Sequence, residues 1–334
     1  MTVSSQQAAT TLLDVRGLSL SFHEQTQMAV DRVSFNIRAG STLGLVGASG
    51  AGKSSIARAI MRLVEVDSGE ILFNGEDILR MNSQRLMTTR QRMQLVFQDP
   101  LASLSPRRTV EQTLLEPLKH FAIGDRHHQQ DKIRGILHTV GLDYDVLQRY
   151  PHQFSSGQQQ RIAIARALVT SPDLLIADEA VSSLDVSIQA QILQLIQTLQ
   201  RELGIAFLFI SHDLAVVRQI ADDIAVMFRG QLLEQSPADL FFSKPSHPYS
   251  KTLLAFARNE SPLPLPGAAW QLDRGLQKVG HGSNCVFASN CPDKMPVCEQ
   301  QEPPRQKIEQ RNQPAWRPHW VKCHLYDKAS THDN

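Results

Sequence analysis

Aromatic residues are scarce in this chain, and neither sign of charge is in excess. Only 6% of its 334 residues are aromatic, and 34 Lys and Arg against 33 Asp and Glu leave a net charge of +1. Such a balance gives no electrostatic basis for a nucleic acid or a bare anionic membrane as the main partner. With 42% hydrophobic residues, the composition describes an ordinary soluble protein of one large or two smaller domains.

Long apolar runs are also missing. The longest, such as residues 204–210 (GIAFLFI), are far shorter than the roughly 20 residues that cross a bilayer. Residues 1–15 lack the basic and then apolar pattern of a secretory signal, so we expect a cytoplasmic protein.

Cysteine is absent until the last fifty residues. Cys285, Cys291, Cys298 and Cys323 follow there with the spacing C-x5-C-x6-C-x24-C. Such clustering in a cytoplasmic chain indicates a metal site more than disulfides. The spacing alone leaves zinc, an iron–sulfur cluster and four free thiols open.

Short apolar runs alternate with helical patterns along the first three quarters of the chain. Runs typical of buried strands begin at Thr42, Met93, Leu174 and Ala206. Apolar residues spaced by three and four, at 56–63 and 188–199, predict helices between the strands. The alternation predicts an α/β fold with a parallel sheet.

Two stretches depart from this alternation. Residues 101–150 are polar and helical in pattern, which predicts an inserted helical subdomain. Residues 259–267 (NESPLPLPG) are rich in proline, and residues 305–320 show no helix or strand period. We therefore place a domain boundary near residue 258.

The strongest motif is a phosphate loop. Residues 47–54 (GASGAGKS) match GxxxxGKS between a predicted strand and a predicted helix starting at Ser55, which is the context that the motif requires. Its glycines let the backbone amides face phosphates, Lys53 reaches the terminal phosphates, and the Ser54 hydroxyl binds Mg²⁺.

Polar side chains follow the predicted strands at their carboxyl ends, where ligands bind in open α/β sheets. At the end of residues 174–179 (LLIADE), Asp178 would hold Mg²⁺ through water and Glu179 would orient the attacking water. Ser211 and His212 end a neighbouring strand and could reach the γ-phosphate, and Gln98 could contact Mg²⁺ or water.

A second helix start is marked at residues 154–158 (FSSGQ). Ser155 followed by Gln158 forms a capping box. The exposed helix N-terminus could present amides and the Ser155 hydroxyl to a phosphate, or it could be a cap for stability alone. Periodicity does not choose between these interpretations.

Taken in order, these elements resemble the nucleotide-binding subunit of an ABC transporter over residues 12–258. The set consists of residues 47–54, Gln98, residues 154–158, residues 174–179, residues 182–185 (SSLD) and His212. The resemblance implies a phosphate-loop NTPase with a mainly parallel sheet core, an antiparallel β subdomain, a helical subdomain at about 99–166, and a C-terminal extension at 259–334. It also implies that two subunits sandwich two ATP molecules, each between one subunit's phosphate loop and the other's FSSGQ helix.

The same resemblance assigns roles to single residues. Phe22 would stack on adenine, although an apolar strand residue is an equal interpretation; Gln98 would link ATP to the membrane subunits, and Asp185 would cross the dimer interface. The implied ATP-binding set is Phe22, Gly47, Ser49, Gly50, Ala51, Gly52, Lys53, Ser54, Ser55, Gln98, Ser155, Gly157, Gln158, Asp178 and Asp185. Glu179, His212 and Gln98 would be catalytic, and Ser54, Gln98 and Asp178 would serve Mg²⁺.

Two departures from the family pattern stand out. Phe154 and Ser156 replace residues of the usual LSGGQ, and the resemblance implies that Ser156 would add a side chain beside the γ-phosphate. Ala180 and Val181 replace the common Pro-Thr after the glutamate.

Within the family, residues 244–254 (KPSHPYSKTLL) and 96–110 (VFQDPLASLSPRRTV) resemble ATPases of dipeptide, oligopeptide and nickel importers. This implies two transmembrane permease subunits, a periplasmic or extracellular peptide-binding protein, an identical or second ATPase chain, and a place at the cytoplasmic face of the inner membrane. The four-cysteine tail resembles the C-terminal cysteine region of the peptide-importer ATPases. This resemblance implies a [4Fe-4S] cluster ligated by all four cysteines. The alternatives are import of nickel or glutathione, a soluble ABC protein acting as a clamp on ribosomes or DNA, and an iron–sulfur protein with a regulatory ATPase domain.

Overall fold

The computed structural model describes residues 10–21, 28–258, 284–308, 317 and 319–327. The strands are β1 (Thr11–Ser21), β2 (Met28–Arg38), β3 (Thr42–Val46), β4 (Ser68–Phe73), β5 (Glu76–Asp77), β6 (Met93–Val96), β7 (Leu174–Asp178), β8 (Ala206–Ser211), β9 (Asp223–Phe228), β10 (Gln231–Pro237), β11 (Arg305–Lys307) and β12 (Trp320–Lys322). The α-helices are α1 (Lys53–Ile60), α2 (Ser83–Arg92), α3 (Pro100–Ser103), α4 (Val110–His120), α5 (Arg126–Thr139), α6 (Ser156–Leu168), α7 (Val186–Leu203), α8 (Leu214–Ile220), α9 (Ala238–Ser243), α10 (Pro248–Ala257) and α11 (Val297–Gln300).

The main sheet has eight strands in the order β11-β12-β10-β9-β3-β8-β7-β6. Its pairs from β6 through β7, β8 and β3 to β9 are parallel, whereas β10, β12 and β11 pair antiparallel. All residues of β3 and β8 are buried, because helices cover both faces of a parallel sheet. The predicted α/β fold and its four predicted strands, β3, β6, β7 and β8, are confirmed.

A second sheet is antiparallel, in the order β2-β1-β4-β5. Leu13, Ile37 and Ile71 on this sheet share one apolar core with Ile56 of α1 and Leu208 of β8. This core fixes the antiparallel β subdomain against the helix that follows the phosphate loop.

The predicted helical insertion contains α3, α4 and α5, which pack with α6 around a second core. Leu114, Leu137, Val140 and Ile162 are buried in it. At the N-terminus of α4, Thr109 and Gln112 form a capping box, which explains why the chain turns into a helix there. The helical character is confirmed, and the limits 99–166 stay a prediction.

Two sequence expectations were wrong. Leu63 was assigned to the apolar face of α1, but α1 ends at Ile60 and Leu63 is 52% exposed. Residues 305–320 were expected to lack regular structure, but β11 and β12 begin at the two ends of that stretch. A strand of three residues is too short to display a period.

The C-terminal part joins the main sheet instead of folding apart from it. In β12, Val321 and Trp320 pair with Glu234 and Gln235 of β10. The Trp320 indole N–H donates to Gln235 Oε1 at 3.2 Å. Across the described ranges, no helix combines the length and apolarity needed to cross a membrane.

Side chains also fasten the C-terminal part. Arg317 donates to Asp223 Oδ1 at 3.1 Å and to the Asp222 carbonyl at 2.7 Å. Glu302 accepts hydrogen bonds from Arg32 and Lys322. Charged groups from both ends of the chain therefore meet at this junction.

Candidate functional site

The phosphate loop lies between β3 and α1, as predicted. Gly47 and Gly52 have φ angles of 155° and 103°, which side chains rarely tolerate. A Cβ atom at Gly47 would lie 2.1 Å from the Met227 carbonyl oxygen, and one at Gly52 would lie 2.2 Å from the Ala29 carbonyl oxygen. The loop can follow this path only because both positions lack a side chain.

Lys53 is the first residue of α1 and is buried. Its ammonium group donates to the carbonyl oxygens of Gly47 and Ala48, both at 2.9 Å. Burial lowers the pKa of Lys53, whereas the charges of Glu179 and Asp178 raise it. The Lys53 ammonium group is thus held at the phosphate loop, close to the carboxylates of Asp178 and Glu179 at the end of β7. The other predicted loop residues Ser49, Gly50, Ala51 and Ser55 lie in the loop or in the first turn of α1.

The carboxyl end of β7 faces the start of α1. The Ser54 hydroxyl donates to Asp178 Oδ1 at 2.9 Å. Burial raises the pKa of Asp178, and the hydrogen bond from Ser54 partly offsets that effect. A hydroxyl and a carboxylate in contact form an oxygen-rich pair suited to Mg²⁺ and its water shell.

Glu179 and His212 meet because β7 and β8 are adjacent parallel strands. Glu179 Oε2 lies 3.4 Å from His212 Nδ1. The backbone of Glu179 has a φ of 50°, an unfavourable conformation for a side-chain-bearing residue that is often found at functional sites. The Glu179 amide donates to the Ile210 carbonyl at 3.0 Å, which holds this turn against β8.

Gln98 follows β6 and reaches the same edge. Its Nε2 donates to Ser182 Oγ at 3.4 Å, and Ser182 Oγ donates to the Glu179 carbonyl at 2.9 Å. Ser182 therefore connects Gln98 with Glu179. Sequence reasoning gave Ser182 no role of its own, although it opens the quoted SSLD segment.

Three predicted ATP contacts lie at other helix starts on the surface. Ser155 and Gln158 form the predicted capping box of α6 and are exposed. Asp185 caps α7 by accepting from the amides of Ser187 and Ile188 at 3.1 and 3.0 Å. The Ser187 hydroxyl also donates to Asp185 Oδ1 at 2.7 Å, and this bond, with the amide bonds, lowers the pKa of Asp185. Gly157 is buried against Ile188, and Phe22 lies outside the described residues.

The four cysteines come together in the C-terminal part. Cys285, Cys298 and Cys323 are buried, and Cys291 is half-buried. Burial, with a contribution from the neighbouring thiols, raises the pKa of Cys291 to about 11 and that of Cys323 to about 12. Among the described residues, no three Cys, His, Asp or Glu side chains are arranged to hold a single metal ion.

Tyr249 is a contact of the phosphate loop that sequence reasoning missed. Its hydroxyl oxygen accepts a hydrogen bond from the Ala48 amide at 3.2 Å. The residue belongs to the segment KPSHPYSKTLL, which the sequence indicated only as a subfamily resemblance.

Comparison with known proteins fits this geometry. A family model described as "ABC transporter" matches residues 30–182, and one described as "Oligopeptide/dipeptide transporter, C-terminal region" matches residues 233–298. YkfD of Bacillus subtilis, named for oligopeptide transport, is 40% identical over 330 residues, which cover 96% of this chain and 97% of that protein. The oligopeptide transport ATP-binding protein OppF of Bacillus subtilis is 46% identical over 302 residues, covering 87% and 97%.

The chain belongs to the ABC transporter ATP-binding proteins. It is accordingly an ATPase that takes ATP together with Mg²⁺. The solved structure of cbiO1 from Clostridium perfringens, part of the ABC transporter complex cbiONQ, has a TM-score of 0.64 at 27% identity and covers 70% of this chain and 92% of its own. Dimeric MJ0796 bound to ADP and Pi has a TM-score of 0.61 at 26% identity and covers 68% and 98%.

Proposed function

We propose that this chain is the ATP-hydrolysing subunit that powers a membrane importer of peptides. The observation that carries the proposal is the Ser54–Asp178 and Glu179–His212 pairing at one sheet edge, in a chain whose C-terminal region matches the oligopeptide/dipeptide transporter model. The relatives named for oligopeptide transport align with nearly the whole chain, which supports peptides as the substrate class.

In the proposed mechanism, the loop amides and Lys53 bind the ATP phosphates. Lys53 exchanges its two carbonyl acceptors for phosphate oxygens, which are stronger acceptors for an ammonium group. Ser54 and Asp178 would hold Mg²⁺, which supplies charge neutralisation at the phosphates.

Glu179 is proposed to orient the attacking water and take its proton at the carboxylate. His212 is 54% exposed beside it, so its ring can turn to donate a hydrogen bond to a γ-phosphate oxygen. Ser182 links Glu179 by hydrogen bonds to Gln98 in the loop after β6. The resemblance places the contact with the permease subunits at this loop, so a movement of the permeases would reach Glu179 through these bonds.

A second ATPase chain would complete each site. Ser155, Gln158 and Asp185 are exposed at the starts of α6 and α7, so another chain can use them from outside. The dimeric ADP-bound relative of the same fold supports this arrangement. We propose a homodimer or heterodimer of ATPase chains on two permeases, peripheral at the cytoplasmic face of the inner membrane and served indirectly by a peptide-binding protein.

We also propose that Cys285, Cys291, Cys298 and Cys323 ligate a [4Fe-4S] cluster. Cys285, Cys291 and Cys298 are near enough to Cys323 to contribute to the raised pKa of its thiol, and three of the four cysteines are buried. Bound iron would stabilise the thiolates, whose formation burial otherwise disfavours.

Replacing Glu179 tests the ATPase mechanism. Glu179→Gln should bind ATP, hydrolyse it about 100-fold more slowly or worse, and accumulate a dimer in gel filtration with ATP. Glu202→Gln, at an exposed position near the end of α7, is the matched control and should behave like the wild type. A fully active, monomeric Glu179→Gln chain would contradict the proposed mechanism.

Peptide uptake tests the substrate class. Cells that carry Glu179→Gln in place of the wild-type chain should lose accumulation of radiolabelled di- or oligopeptides, whereas Glu202→Gln cells should retain it. Unchanged peptide uptake alongside abolished ATPase would reject peptides as the cargo.

The cluster proposal is tested by anaerobic purification with iron, sulfide and zinc analysis. About four iron and four sulfide per chain are expected, with loss of both in Cys291→Ser. Ser289→Ala, an exposed neighbour, should retain them. Stoichiometric zinc, or no metal at all, would overturn the cluster.

A further inference from the structure

The segment that carries Tyr249 is fixed to the main sheet before α10 begins. Glu234 of β10 is buried, and its two carboxylate oxygens accept from the Ser246 and His247 amides at 2.9 and 2.7 Å. His247 Nδ1 then accepts from the Tyr249 amide at 3.0 Å. Three hydrogen bonds therefore hold the chain from Ser246 to Tyr249, and one of them is to the Tyr249 amide.

The Tyr249 ring is held as firmly as its backbone. It is fully buried and packs against Phe228 and Phe287, with ring centroids 4.7 and 5.3 Å apart. Phe287 comes from the cysteine-containing part of the chain, two residues after Cys285. The C-terminal part therefore supports the tyrosine from behind.

The hydroxyl at the end of this ring reaches the second residue of the phosphate loop. Tyr249 Oη accepts from the Ala48 amide at 3.2 Å, and the Ala48 carbonyl accepts from Lys53. Farther along the loop, the Ala51 carbonyl accepts from the Gly230 amide at 2.9 Å. The loop is thus held from outside at two peptide groups, one of them through a single side-chain oxygen.

We propose that Tyr249 is a positioning residue for the phosphate loop, which fixes the Ala48 peptide so that the loop is already shaped for the ATP phosphates. This inference rests on the ATP-binding function of the site. Without the hydroxyl, the half-buried Ala48 amide must find another acceptor, and the loop rotates away from its binding shape. ATP binding then has to restore that shape, which lowers affinity.

The contribution of the Tyr249 hydroxyl to nucleotide affinity can be estimated from the free energy of one hydrogen bond to a partly buried amide. Loss of such an acceptor corresponds to a factor of about 5 to 20 in an equilibrium constant. Burial raises the pKa of Tyr249 to about 12, so the hydroxyl stays neutral at any assay pH. The effect is therefore independent of pH between 6.5 and 9.

The test compares full-length Tyr249→Phe with Tyr326→Phe. Tyr326 is the matched control, because its hydroxyl donates to the Ser246 carbonyl at 3.1 Å in the same part of the fold without touching the loop. For Tyr249→Phe we expect ADP binding, measured by isothermal titration, and the KM for ATP to weaken about 5- to 20-fold. The kcat should change less than about twofold, since Glu179 and His212 follow β7 and β8 and do not contact Tyr249 through the phosphate loop.

Several results would overturn the inference. These are ADP affinity of Tyr249→Phe within twofold of the wild type, an equal loss in Tyr326→Phe, or a loss of kcat without a change in affinity. A wild-type chain that binds no nucleotide would instead reject the ATPase assignment, so the two failures are distinguishable.

Hydrogen exchange of the nucleotide-free chain gives a readout that does not depend on nucleotide. Peptides covering residues 43–53 should exchange faster in Tyr249→Phe than in the wild type, and unchanged in Tyr326→Phe. If the variant does not fold, the wild type still decides the question: rapid exchange of the Ala48 amide would overturn the inference.

Discussion

Gly157, the second residue of α6, leaves no space for a methyl group. A Cβ atom there would lie 2.5 Å from Ile188 Cγ2, well inside the 3.5–4.0 Å at which carbon atoms attract each other (about 0.1–0.2 kcal/mol per pair). Ile188 cannot turn aside easily, because its side chain is β-branched and its amide donates to Asp185. We therefore expect Gly157→Ala to destabilise the chain.

The sign of the effect distinguishes this contact from ordinary helix propensity. In a helix with free space, replacing Gly by Ala stabilises by about 0.5–1 kcal/mol. Overpacking costs about 1–3 kcal/mol. The net expectation is a loss of about 1–2 kcal/mol in the free energy of unfolding.

The assay is urea unfolding of the wild type, Gly157→Ala, Ile188→Ala and the double variant. Ile188→Ala alone should cost about 1–2 kcal/mol, since this side chain is only partly buried. In the double variant the two changes fit together, and the total loss should be smaller than the sum by at least about 1 kcal/mol. Ser156→Ala, at an exposed position in the same turn, is the control and should stay within about 0.5 kcal/mol. A stabilising Gly157→Ala, or strict additivity, would refute the reasoning.

Three further changes test other parts of the structure. Lys53→Ala should weaken ADP binding at least about tenfold in isothermal titration, because the buried ammonium is lost. Normal ADP affinity would contradict the assignment of residues 47–54 as the loop that binds the nucleotide phosphates. Burial lowers the pKa of His247 to about 3, whereas an unfolded histidine titrates near about 6.5. The unfolded chain therefore binds a proton that the folded chain excludes, so stability is lost as pH falls below about 6.5, by up to about 1.4 kcal/mol per pH unit. His247→Asn keeps a cap acceptor, and its urea-unfolding free energy should fall less steeply than that of the wild type between pH 6.5 and 5. Equal slopes would show that His247 is not the source of the pH dependence. Arg317→Ala removes one of two cations from the buried Asp223 and should cost about 1–3 kcal/mol in urea unfolding. Arg16→Ala at an exposed ion pair should cost less than about 1 kcal/mol, and equal costs would argue against the anchoring role of Arg317.

Much of the nucleotide site could be predicted from the sequence, because its parts lie at the ends of buried parallel strands. Once β7 and β8 are recognised as apolar runs, neighbouring strands in a parallel sheet bring Glu179 and His212 together. The same logic places Asp178 beside Ser54. Local pattern and global topology agree at these positions.

The rest depended on contacts that no local pattern carries. Tyr249 contacts Ala48 across 201 positions of the chain. The sequence pattern of a tyrosine in the first turn of a helix is the same whether or not its hydroxyl has a hydrogen-bond partner. The strand β12 is recognisable only by its pairing with β10. Leu63 continued a helical spacing beyond the point where α1 had ended, since periodicity does not report where a helix stops.

The pairing of β12 with β10 has a practical consequence for anyone who shortens this protein. Every residue of β10 is buried, and Val321 and Trp320 bond to its outer edge. A chain cut at residue 258 would leave that edge without a partner, and open sheet edges recruit other chains. The shortened cassette would associate through its cut edge, and loss of activity after truncation would then report aggregation instead of a role for the cysteines.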